Sequence, residues 1–197
     1  MASATADSAR VDSLARARQD SLNRAQPGYI IDSIFPIDIE IQRFKAAVGG
    51  VEVRALTGGA PSREDLVRQI VAAAVARDSA GLARLAVTPR EFVDLIYPSS
   101  PFARPPSQEA PGRVWLMIAN PSISGRIRLL RRLGGRAVSY DRHGCDPAPE
   151  RQGANTLWTH CAVTLRAADG SAEAHRLFGT IVEREGRFKV MSFTNEF

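Results

Sequence analysis

Lysine is nearly absent from this chain: of 26 basic residues only Lys45 and Lys189 are lysines, and there are three histidines. The net charge of +5 is therefore arginine charge. So lopsided a choice reflects a GC-rich genome better than selection for phosphate contacts, and nucleic acid is not a predicted partner. No apolar run approaches the roughly 20 residues needed to span a bilayer, so no transmembrane segment is predicted. Gly-rich phosphate loops, nucleophile elbows and helical zinc motifs are also missing, and no cofactor is expected. What remains, 44% hydrophobic and 24% charged residues in a chain of 197, suffices for one globular domain with appendages.

The first 27 residues are Ala, Ser, Asp and Arg with few large apolar side chains, and predict a disordered tail. Such a segment looks like the tether that follows a cleaved signal peptide or lipid-anchor site; a native cytosolic tail is the alternative. After Pro27-Gly28, the spacing of Ile37, Ile41, Phe44 and Val48 predicts an amphipathic helix ending at Gly49-Gly50. Val51-Glu52-Val53 reads as a short strand and 58–61 as a linker, so residues 28–60 form an extension and 61–197 the domain proper.

Caps then mark the helices. Ser62 precedes a buried helix carrying Leu66, Val67, Ile70, Val71, Ala73, Ala74 and Val75. Asp78 caps a short helix with Leu82 and Leu85. Thr88-Pro89-Arg90-Glu91 is a capping box with Pro at the first helical position, opening a helix that runs through Tyr97 to Pro98. Residues 98–111 form a Pro- and Ser-rich surface loop. Residues 114–133 read as helical, with a kink or a helix junction expected at Asn120 because Pro121 lacks a backbone donor. Its Arg128, Arg131 and Arg132 share a face, read as solvated with an anion-binding patch as the alternative, and Ile127 and Leu130 lie on the apolar side.

The last forty residues read as two hairpins. Residues 157–166 turn at Asp169-Gly170, and 175–182 turn at Glu185-Gly186 into 188–194. A two-residue Asp169-Gly170 turn places Arg166 opposite Glu173 and His160 opposite Gly179; the second turn places Thr180 opposite Met191 and Phe178 opposite Phe193. Alternation puts Thr159, Cys161, Val163, Phe178, Val182, Met191 and Phe193 on one face. Trp158, His160, Ala162, Leu177, Gly179, Ile181, Val190, Ser192 and Thr194 share the other. Both faces are too apolar for water. Helices first and an antiparallel sheet last predict an α+β domain with the helices packed on the sheet.

This order, with its final strand pair Leu177-Phe178-Gly179-Thr180-Ile181-Val182-Glu183-Arg184-Glu185-Gly186-Arg187-Phe188-Lys189-Val190, resembles the NTF2-like superfamily over residues 61–197. The turns, and Cys145 and Cys161 around Arg142-His143-Gly144, also resemble uncharacterised exported bacterial proteins. The resemblance implies a curved sheet closing a cone around a pocket, and a homodimer through the sheet's outer face. It implies no single activity, since members include isomerases, hydrolases, dehydratases and non-enzymatic binding modules.

The two cysteines have three readings. Joined, they close a loop of about 15 residues worth roughly 3 kcal/mol in the chain-entropy model. They could remain thiols, or join His143 and His160 around a metal, although neighbouring strand residues such as His160 and Cys161 point to opposite faces. The disulfide is the preferred reading, and no metal site is assigned. If the Trp158 face is concave, His160 is the candidate acid-base, and Trp158, Ser192 and Thr194 line the ligand cavity beside it. Asp94, Tyr97, Tyr140 and Asp141 do not assemble into a carboxylate constellation: Asp94 is expected on an outer helix face and Asp141 at a strand end. Trp115 is expected in the core.

The expectation is thus an exported, periplasmic or lipid-anchored, non-catalytic domain binding a small apolar molecule or a protein partner, with Trp158, His160, Phe178 and Phe193 the residues to test. The alternatives are a small-molecule isomerase or hydrolase using His160, and an envelope-associated interaction module.

Overall fold

Side-chain caps open the second, third and fourth helices. In the computed structural model, which describes residues 35–196, α1 (Ile37–Val48) follows Pro36 and packs Ile41, Phe44 and Val48 inward. Ser62 accepts a hydrogen bond from the Asp65 N–H and opens α2 (Arg63–Val75), which buries Leu66, Val67, Ile70, Val71 and Ala74. Asp78 accepts from the Gly81 N–H at the head of α3 (Ser79–Arg84). Thr88 and Glu91 form the capping box of α4 (Pro89–Glu91). The predicted tail over 1–27 lies outside the described residues.

Beyond its box the fourth helix departs from expectation. It widens into a π turn (Phe92–Ile96) and closes as a 3-10 turn (Tyr97–Ser99), burying Phe92, Val93, Leu95, Ile96 and Tyr97. Asp94, expected on an outer face, is buried. Helix α1 covers this face: Lys45 reaches within 3.0 Å of the Asp94 carboxylate, Arg90 within 2.6 Å, and the Val53 N–H donates to it over 3.0 Å. Residues 51–53 form no strand, because that N–H is spent on Asp94. Residues 37–60 are consequently part of the same compact unit as residues 61–196.

Helix α5 (Pro111–Leu133) runs unbroken through Pro121, so Asn120 is no junction between two helices. Its buried residues are Pro111, Val114, Gly125, Leu129 and Leu133. One continuous register over 23 residues turns Ile127 outward, where it is 59% exposed rather than on the apolar side.

The strands make two antiparallel sheets rather than one curved sheet. Strands β1 (Val138–Gly144), β4 (Ala162–Ala167) and β5 (Ala172–His175) lie in the order β1-β4-β5. Strands β2 (Glu150–Gln152), β3 (Asn155–Trp158), β6 (Ile181–Arg184) and β7 (Arg187–Val190) lie in the order β2-β3-β6-β7. The two long runs expected to be continuous break at residues 159–161 and 176–180; His160 there adopts φ +48°, a left-handed conformation incompatible with a strand. His160 therefore does not pair with Gly179.

The Glu185-Gly186 hairpin has the predicted register: Ile181 faces Val190, Met191 donates to the Thr180 carbonyl and Gly179 to that of Ser192. The Asp169-Gly170 hairpin is displaced by one. Arg166 faces Ala172 and Leu165 faces Glu173. The connection is one residue longer than a two-residue turn, with Ala167 donating to the Ser171 carbonyl. Arg166 consequently pairs with Asp141 at 3.0 Å, not with Glu173.

These breaks also redistribute the faces. Trp158, Ile181 and Val190 face a core of α2, α3 and α5 side chains that includes Cys161, Val163, Leu177, Phe178 and Phe193. Leu157 and Val182 face a second core with Phe92, Val93, Ile96, Tyr97 and Val114. Cys161, Val163, Phe178 and Phe193 thus part company with Val182. Both faces of the four-stranded sheet are covered by the chain itself. Its β7 edge is covered too, by Ala60 paired with Phe188 and by Ala86 bridged to Val190. Gly59 (φ +68°) sits where a β-carbon would collide with the Phe188 carbonyl, so the 58–61 segment is a fixed strap rather than a linker.

Candidate functional site

The sequence-derived site residues are held apart by this architecture. Trp158 is half-buried, with the Arg63 guanidinium 3.7 Å above its ring and its indole N–H enclosed without an acceptor. His160 projects from the 159–161 bend, 69% exposed, and meets Asp146 at 2.6 Å. Asp146 also accepts from the Thr159 hydroxyl. The hydrogen bond from His160, then that from Thr159, holds its carboxyl below the usual range. Ser192 is buried against Gly179 and shares a 3.1 Å hydrogen bond with Thr194, which is exposed. Cys145 and Cys161 form the preferred disulfide, tying the end of β1 to the start of β4. No cluster of potential metal ligands occurs among the described residues.

Strand β1 carries a bulge that sequence reading did not reveal. Pairing steps from Tyr140–Leu165 to Arg142–Thr164, leaving Asp141 as the extra residue. Tyr140 and His143, three apart, thereby turn to the same side, and the phenol lies 2.8 Å from His143 Nδ1. Arg68 of α2 stacks 4.6 Å over the Tyr140 ring. Burial pushes the His143 imidazole below its usual value and the nearby Arg63 adds to this, with Glu64 opposing. The neutral imidazole is therefore favoured.

Two further perturbed carboxylates, Glu91 and Asp94, serve packing. Glu91 lies in the second core. It accepts from the Thr57 N–H (2.7 Å), the Thr57 hydroxyl (2.9 Å) and the Thr88 N–H (2.8 Å), and from Lys189 Nζ at 2.9 Å. Burial alone would raise its pKa; the Lys189 hydrogen bond, with those from Thr88 and Thr57, reverses the sign and holds it low. Asp94 is held low against burial by Val53, Lys45 and Arg90.

A concave surface with room for a ligand lies elsewhere, along α5. Because α5 continues through Pro121, Trp115, Ile118, Ala119, Ser122 and Arg126 fall at helical spacing on one stripe. They face Met191 and residues Ala83, Ala86, Val87, Thr88 and Pro89 across a groove of about 320 Å³. Trp115 is only partly core: its ring packs 5.3 Å from that of Phe92 while also lining the groove. Trp158, His160, Ser192 and Thr194 do not line it. Ile123 also lines the groove and is about half exposed, and Leu116, Met117 and Ile127, outside the lining, are about as exposed. The signal was present in the sequence as the 115-118-119-122-126 spacing, and dividing the helix at Asn120 hid it.

Comparison with known proteins finds no matching family model, no matching curated protein and no matching solved structure.

Proposed function

We propose that the chain is a non-catalytic binding domain that holds a small apolar molecule in the α5 groove. The observation that carries this reading is the groove's lining: Trp115, Ile118, Ala119, Ile123, Met191, Val87 and Ala86 offer apolar surface, and Arg126 is the only charged residue among the lining groups. Ligand pockets are mostly apolar concavities of about 300–1,000 Å³ with few polar groups, and this one lies at the small end. A non-enzymatic role is supported by where the perturbed carboxylates are placed: Glu91 and Asp94 are saturated by Lys189, Lys45, Arg90 and backbone donors.

Export, to the periplasm or to a lipid anchor, belongs to the same proposal. It is supported by the Cys145–Cys161 bond, since disulfides persist in oxidising compartments. The NTF2-like relationship is supported by helices preceding antiparallel strands and a closing hairpin.

The test is Trp115 fluorescence in a Trp158→Phe background during titration with a panel of short-chain apolar compounds. Saturable change in wild-type register, abolished by Ala119→Trp with the melting temperature preserved, is the expected result. No saturable response from any compound, with the fold intact, overturns the reading.

A further inference from the structure

Resting on the groove reading above, we infer that the ligand is an amphiphile with an anionic head: a short-chain carboxylate whose tail lies along α5 and whose head meets Arg126. Three donors at the groove lack acceptors. Arg126 has no hydrogen-bond or ion-pair partner among the described residues, whereas Arg68 finds Glu64 and Arg166 finds Asp141. The Ser122 hydroxyl accepts from the Phe193 N–H, 3.0 Å away, and donates to no described residue. Thr88 Oγ1 accepts from the Glu91 N–H and likewise donates to none. All three residues line the groove, and no acidic residue does.

A neutral apolar guest would bury these donors without satisfying them, which is costly, whereas a carboxylate offers acceptors to a guanidinium and two hydroxyls together. Helix α5 strengthens the bias, because the 23 residues from Pro111 to Leu133 contain no Asp or Glu. The charge at the groove is thus uncompensated and complementary to an anion. The small volume points to a short chain.

The experiment titrates octanoate and octanol separately, below micelle formation, into the full chain. Methyl NMR reads Ile118, Ile123 and Met191, and circular dichroism verifies the fold of each variant. Octanoate is expected to bind at least tenfold more tightly than octanol. Arg126→Gln should erase that preference, and raising the salt concentration should weaken octanoate alone. Equal binding of both probes, mapped to the groove methyls, overturns the anionic head while leaving the groove reading intact. Binding of neither probe, with no methyl perturbed, overturns both. Retention of the octanoate preference in Arg126→Gln places the anion elsewhere and overturns the assignment to Arg126.

Discussion

At the scale of single residues, the two lysines of this arginine-rich chain have matched tasks. Lys45 reaches Asp94 and Lys189 reaches Glu91, each closing a buried carboxylate on the 88–97 segment. A compact ammonium with three donors fits such enclosed sites better than a rigid guanidinium fork. None of this was legible locally: Glu91 reads as the last member of a capping box, and its cation lies 98 residues away. Replacing Lys189 by Met should cost about 3–5 kcal/mol at pH 7, because it strands a buried carboxylate. The pH dependence separates this from lost packing. In the wild type Glu91 and Asp94 have depressed pKa values, so their contribution is present above the unfolded values, about 4.3 and 3.9, and is lost as pH falls below them. His143, also depressed, adds destabilisation as pH falls through about 6.5, where the unfolded chain takes up the proton first. In Lys189→Met the stranded Glu91 carboxyl moves upward instead and is neutralised at mild acidity. The gap between wild type and variant in urea unfolding should therefore narrow from pH 7 to pH 4. A gap independent of pH would assign the whole loss to packing.

At the scale of elements, local chemistry was readable and its long-range consequences were not. The caps at Ser62, Asp78 and Thr88 satisfy orphan backbone donors within three residues, so the sequence alone locates α2, α3 and α4. The Glu185-Gly186 register is local in the same way. The Asp169-Gly170 pair serves two- and three-residue connections equally well, and the bend at His160 interrupts an apolar pattern that continues across it. Helix α5 shows the same division. Pro121 argues for a break, but the helix continues through it, fastened to the C-terminal segment beneath: Asn195 donates to the Gly125 carbonyl at 2.8 Å, Arg128 donates to Asn195, and the Phe193 N–H donates to Ser122. Pro121→Ala restores a backbone donor to Met117 and should raise stability by about 1–3 kcal/mol, part of the roughly 3 kcal/mol that an interior proline costs a helix; chemical denaturation measures it. Gly125→Ala acts oppositely. Its β-carbon would strike the Phe193 carbonyl, a backbone atom that cannot swing aside. Faster amide exchange over 193–196, together with a lowered melting temperature, is the expected outcome. Unchanged exchange there would show that the terminal segment contributes nothing to α5.

At the scale of the whole molecule, one four-stranded sheet separates two apolar cores; Ile41, Phe44, Val48, Val53 and Leu56 of the segment that read as an extension close the second, and Ala60 of the one that read as a linker packs in the first. The α+β class was legible because helix and strand periods occupy separate halves of the chain. The groove was not, since it needs α5, the 83–89 segment and Met191 at once. The three-stranded sheet has a different support. Beyond the 159–161 bend, β4 holds the first core through Val163 and Leu165, and the Cys145–Cys161 bond fastens the β1 and β4 ends at that bend. The bond encloses about 15 residues, including β2 and β3, and removes roughly 3 kcal/mol of disorder from the unfolded chain in the entropic account. Cys161 is 1% exposed, so alanine rather than serine is the substitution that avoids burying a new hydroxyl. Cys145→Ala with Cys161→Ala should lower unfolding stability by about 2–4 kcal/mol and accelerate amide exchange first in β1 and β4. Reductant should reproduce the loss in the wild type and leave the double variant unmoved. If reductant destabilises both equally, or neither, the clasp between β1 and β4 contributes nothing and the two cores alone hold the three-stranded sheet.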